Sequence, residues 1–249
     1  MKIGVVTPFY SESDAFLHRC VDSVRKQGPD VTHYMVGDGR HVEWLDHETG
    51  VVQLPLGRAN RENGDTPRAF GAILAIKDGC DAIAFLDADN YYLSGHLAGL
   101  AEAARVTGAD VVTSARFLIR PDGSRIEGLQ DEPADRHTDT SCYFLTGRAL
   151  PLAISWGLWP RELSFMDDRI LLRMLRSAKV KIVHVSAATV AYTTTYAEHY
   201  TSRGEAPPPE AKSMRDIRAR ADLPGWWRSL EETDRQRIRT LLGIADFRL

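Results

Sequence analysis

The chain is poor in features that mark several protein classes. Three cysteines stand among its 249 residues, Cys20, Cys80 and Cys142, and no two form a C-x-x-C pair. A sparse, odd set argues against a disulfide framework or a zinc site and points to a reducing, cytoplasmic compartment. No run of about 18 apolar residues occurs, so no transmembrane helix is expected. The opening Met1-Lys2-Ile3-Gly4-Val5-Val6-Thr7-Pro8 lacks the apolar core of a signal peptide. Net charge is -3, so no broad basic field calls for nucleic acid. Thr7 to Asp14 contains no glycine, so no glycine-rich phosphate loop follows the first apolar run. No internal repeat is present. With 43% hydrophobic and 26% charged residues, the chain is an ordinary globular protein, long enough for one large domain or a domain with an appendage.

Short apolar runs alternate with helical patterns. Ile3 to Thr7 reads as a buried strand and Ser13 or Asp14 as the cap of a helix to about Lys26. Thr32 to Val36 and Val51 to Leu54 are further strands. Thr66-Pro67 opens a helix through Ile76, with proline in the first turn. Ala82 to Leu86 is a strand, Ser94 to about Val106 a helix, and Asp110 to Phe117 another strand before a turn at Pro121-Asp122-Gly123. This order predicts an α/β fold with a mostly parallel central sheet and helices on both faces. Beyond Gly123 the expectations are a mobile polar loop at Asp131 to Thr140 and a strand at Ser141 to Leu145. A helix at Asp167 to Arg176 and a strand at Lys181 to Val185 follow. The triple proline in Arg203 to Pro209 reads as a linker. Residues 1–202 would then be one domain. Residues 203–249 would be a linker and a helical extension of two helices split by Pro224-Gly225. Arginines in that extension are interrupted by acids, so a membrane-surface contact is not expected. Packing on the domain or on a second copy is.

Acids gather where predicted strands end. Asp87 and Asp89 directly follow the run ending at Leu86, and open α/β sheets bind ligands at that end of their strands. Two hard oxygen ligands on a short turn suit a divalent cation that bridges phosphates, or simply a capped turn. Asp38 closes the second strand and has the hydrogen-bonding capacity for a base or ribose, or for a turn before Gly39. Arg68 lies at a predicted helix N-terminus, where anions are favoured. Asp167 and Asp168 open a helix, as caps or as a carboxylate that accepts a proton from an attacking hydroxyl. His199 is a candidate metal ligand beside Asp89; His137 and His184 are weaker ones. Trp156 and Trp159 suit sugar stacking or a core, and Ser155 to Leu163, with Asp131 to Thr140, is the expected acceptor loop.

Taken in order, these motifs resemble family 2 glycosyltransferases of the GT-A (Rossmann-like) fold. Val5 to Glu12 is similar to the family's opening strand and loop, and Val36-Gly37-Asp38-Gly39 to its D-D-G-S segment. Phe85-Leu86-Asp87-Ala88-Asp89 is similar to its D-x-D, and Met166-Asp167-Asp168 to its E-D pair. The resemblance implies that Thr7, Pro8 and Tyr10 line a nucleoside pocket, that Asp38 binds the base, and that Arg68 binds base or phosphate. It implies that Asp87 binds ribose and that Asp89, with His199, ligates Mn²⁺ or Mg²⁺. Asp168 would be the base, with Asp167 the second choice. Ser11, Gly37 and Arg40 depart from the family pattern, so UDP is the default nucleotide with GDP an option; Asp167 stands where the pattern has Glu, which leaves the choice between Asp167 and Asp168 open. The implied reaction is inverting transfer of a sugar from a nucleotide sugar to a carbohydrate or other hydroxyl. A sugar-1-phosphate nucleotidyltransferase and a non-catalytic nucleotide-sugar-binding module are the alternatives.

Overall fold

The computed structural model describes residues 1–128 and 133–242. Strand β1 (Ile3–Phe9) is buried along all seven residues, as a central strand with both faces covered must be. Helix α1 (Asp14–Arg25) follows, capped by Ser13, whose hydroxyl accepts from the Phe16 N–H. Then come β2 (Val31–Gly37), β3 (Val51–Pro55), α2 (Asp65–Lys77), β4 (Ala82–Phe85), the two-residue β5 (Tyr91–Tyr92), α3 (His96–Thr107) and β6 (Val111–Ile119). After the undescribed gap lie β7 (Tyr143–Thr146), α4 (Asp167–Ser177) and β8 (Ile182–Thr193). Helices α5 (Ala197–Thr201), α6 (Met214–Ala221), α7 (Leu223–Ser229) and α8 (Glu232–Leu242) complete the described residues.

The eight strands form one sheet in the order β3-β2-β1-β4-β7-β6-β8-β5. Only β7 and β5 run against the rest, so the sheet is mostly parallel, as expected. Alternation along the strands feeds two layers. Val6, Ile83 and Phe85 face α2, α4 and the Trp156 region. Val5, Ala84 and Leu86 face α1 and α3. Helix α2 lies close on the sheet because residue 71 is glycine: a Cβ there would sit 2.4 Å from Val6 Cγ1. That closeness brings the N-terminus of α2 to the ends of β1 and β4.

Three expectations change. The strand expected at Lys181 to Val185 runs on to Thr193, paired with β6 through a bulge, which carries its end to the site. Asp131 and Glu132 lie outside the described residues; at the far end of that stretch Thr138 to Thr140 are buried and lead through a 3-10 turn into β7. Among the described residues the extension holds three helices. Pro224 does not break one; it sits in the first turn of α7, where its missing N–H costs nothing, and the break falls at Asp222 in the left-handed region (φ 35°). Leu223, Ile238 and Leu242 join the core cluster of α4. Among the described residues no helix is long and apolar enough to cross a membrane.

His33 in β2 gives a pH signature. Its Nε2 meets the Thr7 hydroxyl at 2.8 Å and its Nδ1 has no partner. Burial lowers its pKa to about 3. A depressed pKa contributes stability that is present above the unfolded value of about 6.5 and is lost as pH falls toward the folded value. His33→Gln removes this one contribution. Between pH 6.5 and 5 the variant is expected to lose about 2 kcal/mol less than the parent, read by urea denaturation at each pH. Parallel curves would refute it.

Candidate active site

One end of the sheet collects the ends of β1, β2, β4, β6 and β8, the start of β7, and the N-termini of α2 and α4. The sequence places acids at nearly all of these ends. Like charges so gathered need cations or raised pKa values, and Arg68 supplies the first while Asp65 and Asp167 have the second.

Arg68 is the hub. It is 4% exposed. Its Nη2 donates to Asp87 Oδ1 at 2.6 Å, and its Nη1 donates to Asp167 Oδ2 at 3.1 Å and to the Asn63 carbonyl at 2.9 Å. Asp65 Oδ1 lies 3.7 Å away, and the Trp156 ring is 4.8 Å beneath the guanidinium. Asp65 also accepts from Trp159 Nε1 at 3.0 Å. Trp156 and Trp159 are therefore core residues around this network. Burial raises the Asp65 pKa to about 7, against the pull of Arg68. Burial and the Asp65 charge hold Asp167 well above the ordinary carboxylate range. Arg68 thus faces inward and joins the Asp87 turn to the start of α4.

Asp89 stands differently. Its backbone carbonyl is held by Arg19 Nη2 at 2.5 Å and by the Thr193 hydroxyl. Among the described residues its carboxylate forms no ion pair. Burial raises its pKa to about 8, and the charges of Asp87, Glu12 and Asp139 add to the rise. Asp87 and Asp139 have arginine partners, Asp89 has no ion pair among the described residues, and a hard divalent ion is the chemistry that would satisfy it. No group of three or more His, Cys, Asp or Glu side chains among the described residues is arranged to hold a metal. Protein ligands alone therefore do not complete such a site, and phosphate oxygens would have to supply the remainder. His199 Nδ1 meets the Thr194 hydroxyl at 2.5 Å, which fixes the ring after β8.

Asp168 opens α4 next to the buried Asp167 and is partly exposed. Oδ1 accepts from the Arg169 N–H at 2.6 Å and Oδ2 meets His137 Nε2 at 2.6 Å. The Tyr143 hydroxyl donates to the Asp168 carbonyl at 3.2 Å. Close by, Arg116 pairs with Asp139 at 2.5 Å beneath the face of Tyr192. Asp167 is spent otherwise: Oδ1 accepts from the Asp168 N–H at 2.7 Å and Oδ2 from Arg68.

The expected nucleoside pocket is rebuilt in part. Thr7 has no accessible surface and its hydroxyl is turned to His33, so its side chain lines no pocket. Pro8 packs on Gly64, whose positive φ of 94° and missing Cβ leave room for it. Tyr10 is 41% exposed, with Arg61 5.7 Å from its ring. Asp38 is committed to the chain itself: Oδ1 accepts from the Asn60 N–H and side-chain amide, and Oδ2 from the Arg61 N–H. It anchors a loop in which Arg61 and Asn63 adopt positive φ. His137, Asp65, Arg116 and Asp139 join the site without having been marked for it by sequence, His137 having ranked only as a weaker metal ligand.

No protein-family model matches the chain, and no curated protein matches its sequence. Solved structures do. Residues 1–349 of S. aureus TarS in complex with UDP match with a TM-score of 0.59 at 17% identity, over 97% of this chain and 71% of that one. The same segment with UDP-GlcNAc matches at 0.56 and 16%, over 97% and 72%. Against a longer TarS chain the match is 0.61 and 16%, over 98% of this chain and 48% of that one, so this chain spans about half of it. At such identities the likeness speaks for the fold alone, and the fold is one that this chain shares with TarS.

Proposed function

We propose that the chain is an inverting glycosyltransferase of the family 2 pattern that moves a sugar from a nucleoside diphosphate sugar to an acceptor hydroxyl. The observation that carries this reading is the pairing of two unlike acid groups at one sheet end. Asp87 and Asp89 form an acid rim in which Arg68 pairs with one oxygen of Asp87 and, among the described residues, no ion pair reaches the Asp89 carboxylate, and Asp168 is a partly exposed carboxylate held on two sides. TarS, which shares the fold, has been crystallised with UDP and with UDP-GlcNAc, which makes UDP the first nucleotide to test here.

Asp89 and the second oxygen of Asp87 are the groups that would hold Mn²⁺ or Mg²⁺, with donor phosphate oxygens completing the set; among the described residues no third His, Cys, Asp or Glu is arranged with them. Such an ion, when bound, supplies charge neutralisation for a leaving diphosphate. Tyr10 and Arg61 offer a ring and a cation at the mouth of the expected base pocket. Asp168 takes the proton of the attacking hydroxyl: the O–H bond of the acceptor breaks and a carboxyl O–H forms. A single base on the acceptor side fits direct displacement with inversion. Asp167, buried and paired with Arg68, supports α4 and does not act as the base.

Thermal shift tests the donor half. UDP with Mn²⁺ at about 100 times its Kd is expected to add roughly 2.7 kcal/mol of stability, a rise of several degrees in Tm. GDP and Mg²⁺ are the comparison arms. In Asp89→Asn the Mn²⁺-dependent part of the rise should vanish while the ligand-free chain still melts cooperatively. An undiminished Mn²⁺ response in that variant would remove Asp89 from the donor site.

A further inference from the structure

Asp168 would serve poorly as a base if its carboxylate swung freely among its neighbours. Its Oδ1 is fixed by its own helix terminus, through the Arg169 N–H. Its Oδ2 is fixed from another part of the chain, by His137 at 2.6 Å. That histidine is itself held. The Pro133 carbonyl accepts from the N–H groups of Arg136 and His137, at 2.7 and 3.1 Å. The Thr138 hydroxyl donates to the Ala134 carbonyl at 3.3 Å, and Asp139 is clamped by Arg116. The side chains of His137 and Asp168 keep 11% and 18% of their surface open, so the pair reaches the cleft while its hydrogen bond is shielded.

We infer that His137 is the positioning residue for the base: its Nε2–H holds Asp168 Oδ2 so that the carboxylate presents a fixed lone pair to the acceptor hydroxyl. This rests on the reading of Asp168 as base. The charged groups facing His137 are Asp168, Asp139 and Arg116. Those facing Asp168 include Asp139 and Asp167, and Tyr143 and Tyr196 lie beside it. Burial alone would lower the His137 pKa. The Asp168 hydrogen bond and charge outweigh it, and the net direction is upward. The imidazole therefore favours its charged form, with a proton on Nε2 for Oδ2. It carries no bond to substrate and donates no proton to it.

Two measurements test this. In ¹H–¹³C spectra the His137 ring resonance, assigned by its loss in His137→Gln, is expected to titrate above about 6.5 and to fall by about one pH unit or more in Asp168→Asn. A midpoint that does not move would overturn the inference. Second, UDP release from UDP-GlcNAc, with water or added sugars as acceptor, is followed in variants that melt like the parent. In His137→Ala kcat is expected to fall about tenfold, less than the ~10²-fold or greater loss for the base itself, with donor KM unchanged. His137→Gln, which keeps a neutral donor of similar reach, should recover most of the rate. Parental kcat in His137→Ala alongside an inactive Asp168→Asn would overturn the inference and leave the base in place. Parental turnover in Asp168→Asn would overturn the base reading, and the inference with it.

Discussion

Asp168→Asn is expected to bind a nucleoside diphosphate as the parent does and to lose about 10²–10⁴ in kcat, the range a general base supplies. Asparagine preserves the shape of the side chain and can still accept one hydrogen bond, from the Arg169 N–H or from His137. What it lacks is a lone pair basic enough to take the acceptor's proton. The loss should fall on kcat and on kcat/KM for the acceptor, with KM for the donor unchanged, because the Asp168 carboxylate is bonded to His137 and the Arg169 N–H and not to Asp87 or Asp89. Asp167→Asn is the control. Asp167 is nearly covered, bonded to Arg68 and to the Asp168 N–H, so its substitution should appear first in the melting curve. Initial rates of UDP release and thermal shift with UDP separate the two outcomes. Turnover within a few-fold of the parent in Asp168→Asn would place the base elsewhere.

Much of this frame was legible in the sequence because it is periodic. The runs Ile3 to Thr7 and Ala82 to Leu86 become β1 and β4 within a residue or two, and the acids that follow them stand at one sheet edge. Local patterning carries that information, since burial on two faces demands unbroken apolar strands and short turns. The extension of β8 to Thr193 was hidden by Ser186, Ala187, Ala188 and Thr189, a stretch with little apolar signal where the strand bulges against β6.

Side-chain pairing was far less legible, and the reason is sequence distance. His137 meets Asp168 across 31 positions, and Arg68 meets Asp167 across 99. No period relates such residues. A cation at a helix start reads as an anion site in isolation. Three carboxylates of its own chain reach Arg68 first. Asp38 repeats the lesson on a smaller scale: it lies where a base ligand was expected, and three donors from Asn60 and Arg61 already bond to its carboxylate. One signal near His137 was readable. Thr138-Asp139-Thr140-Ser141 directly precedes an apolar run with no glycine or proline between them. Polar residues so placed are carried inward with the strand and need partners there.

Those partners make Arg68 the residue whose loss should cost the fold most. Arg68→Met keeps much of the side-chain length and its packing on Trp156, and removes the charge. Asp65, Asp87 and Asp167 are then left facing one another at the sheet edge without a cation. Removing one partner of a buried ion pair costs about 3–5 kcal/mol, mostly as the penalty of the uncompensated charge. The loss should depend on pH in a definite direction. Asp65 and Asp167 already have raised pKa values, and for such acids the contribution to stability is full below the unfolded value of about 3.9. It is lost as pH rises through the folded value, about 7 for Asp65. Without Arg68 the folded values rise further, so the variant should lose more stability at pH 8 than at pH 5, where both acids keep their protons at lower cost. Adding Asp167→Asn to Arg68→Met removes one of the stranded charges and should restore part of the difference at pH 8 but little at pH 5, a non-additivity expected of residues in one network. Urea denaturation of the parent, both single variants and the double variant at the two pH values measures each of these quantities. Equal losses at pH 5 and pH 8, with no coupling in the double variant, would mean that Arg68 is not the charge that holds these acids together.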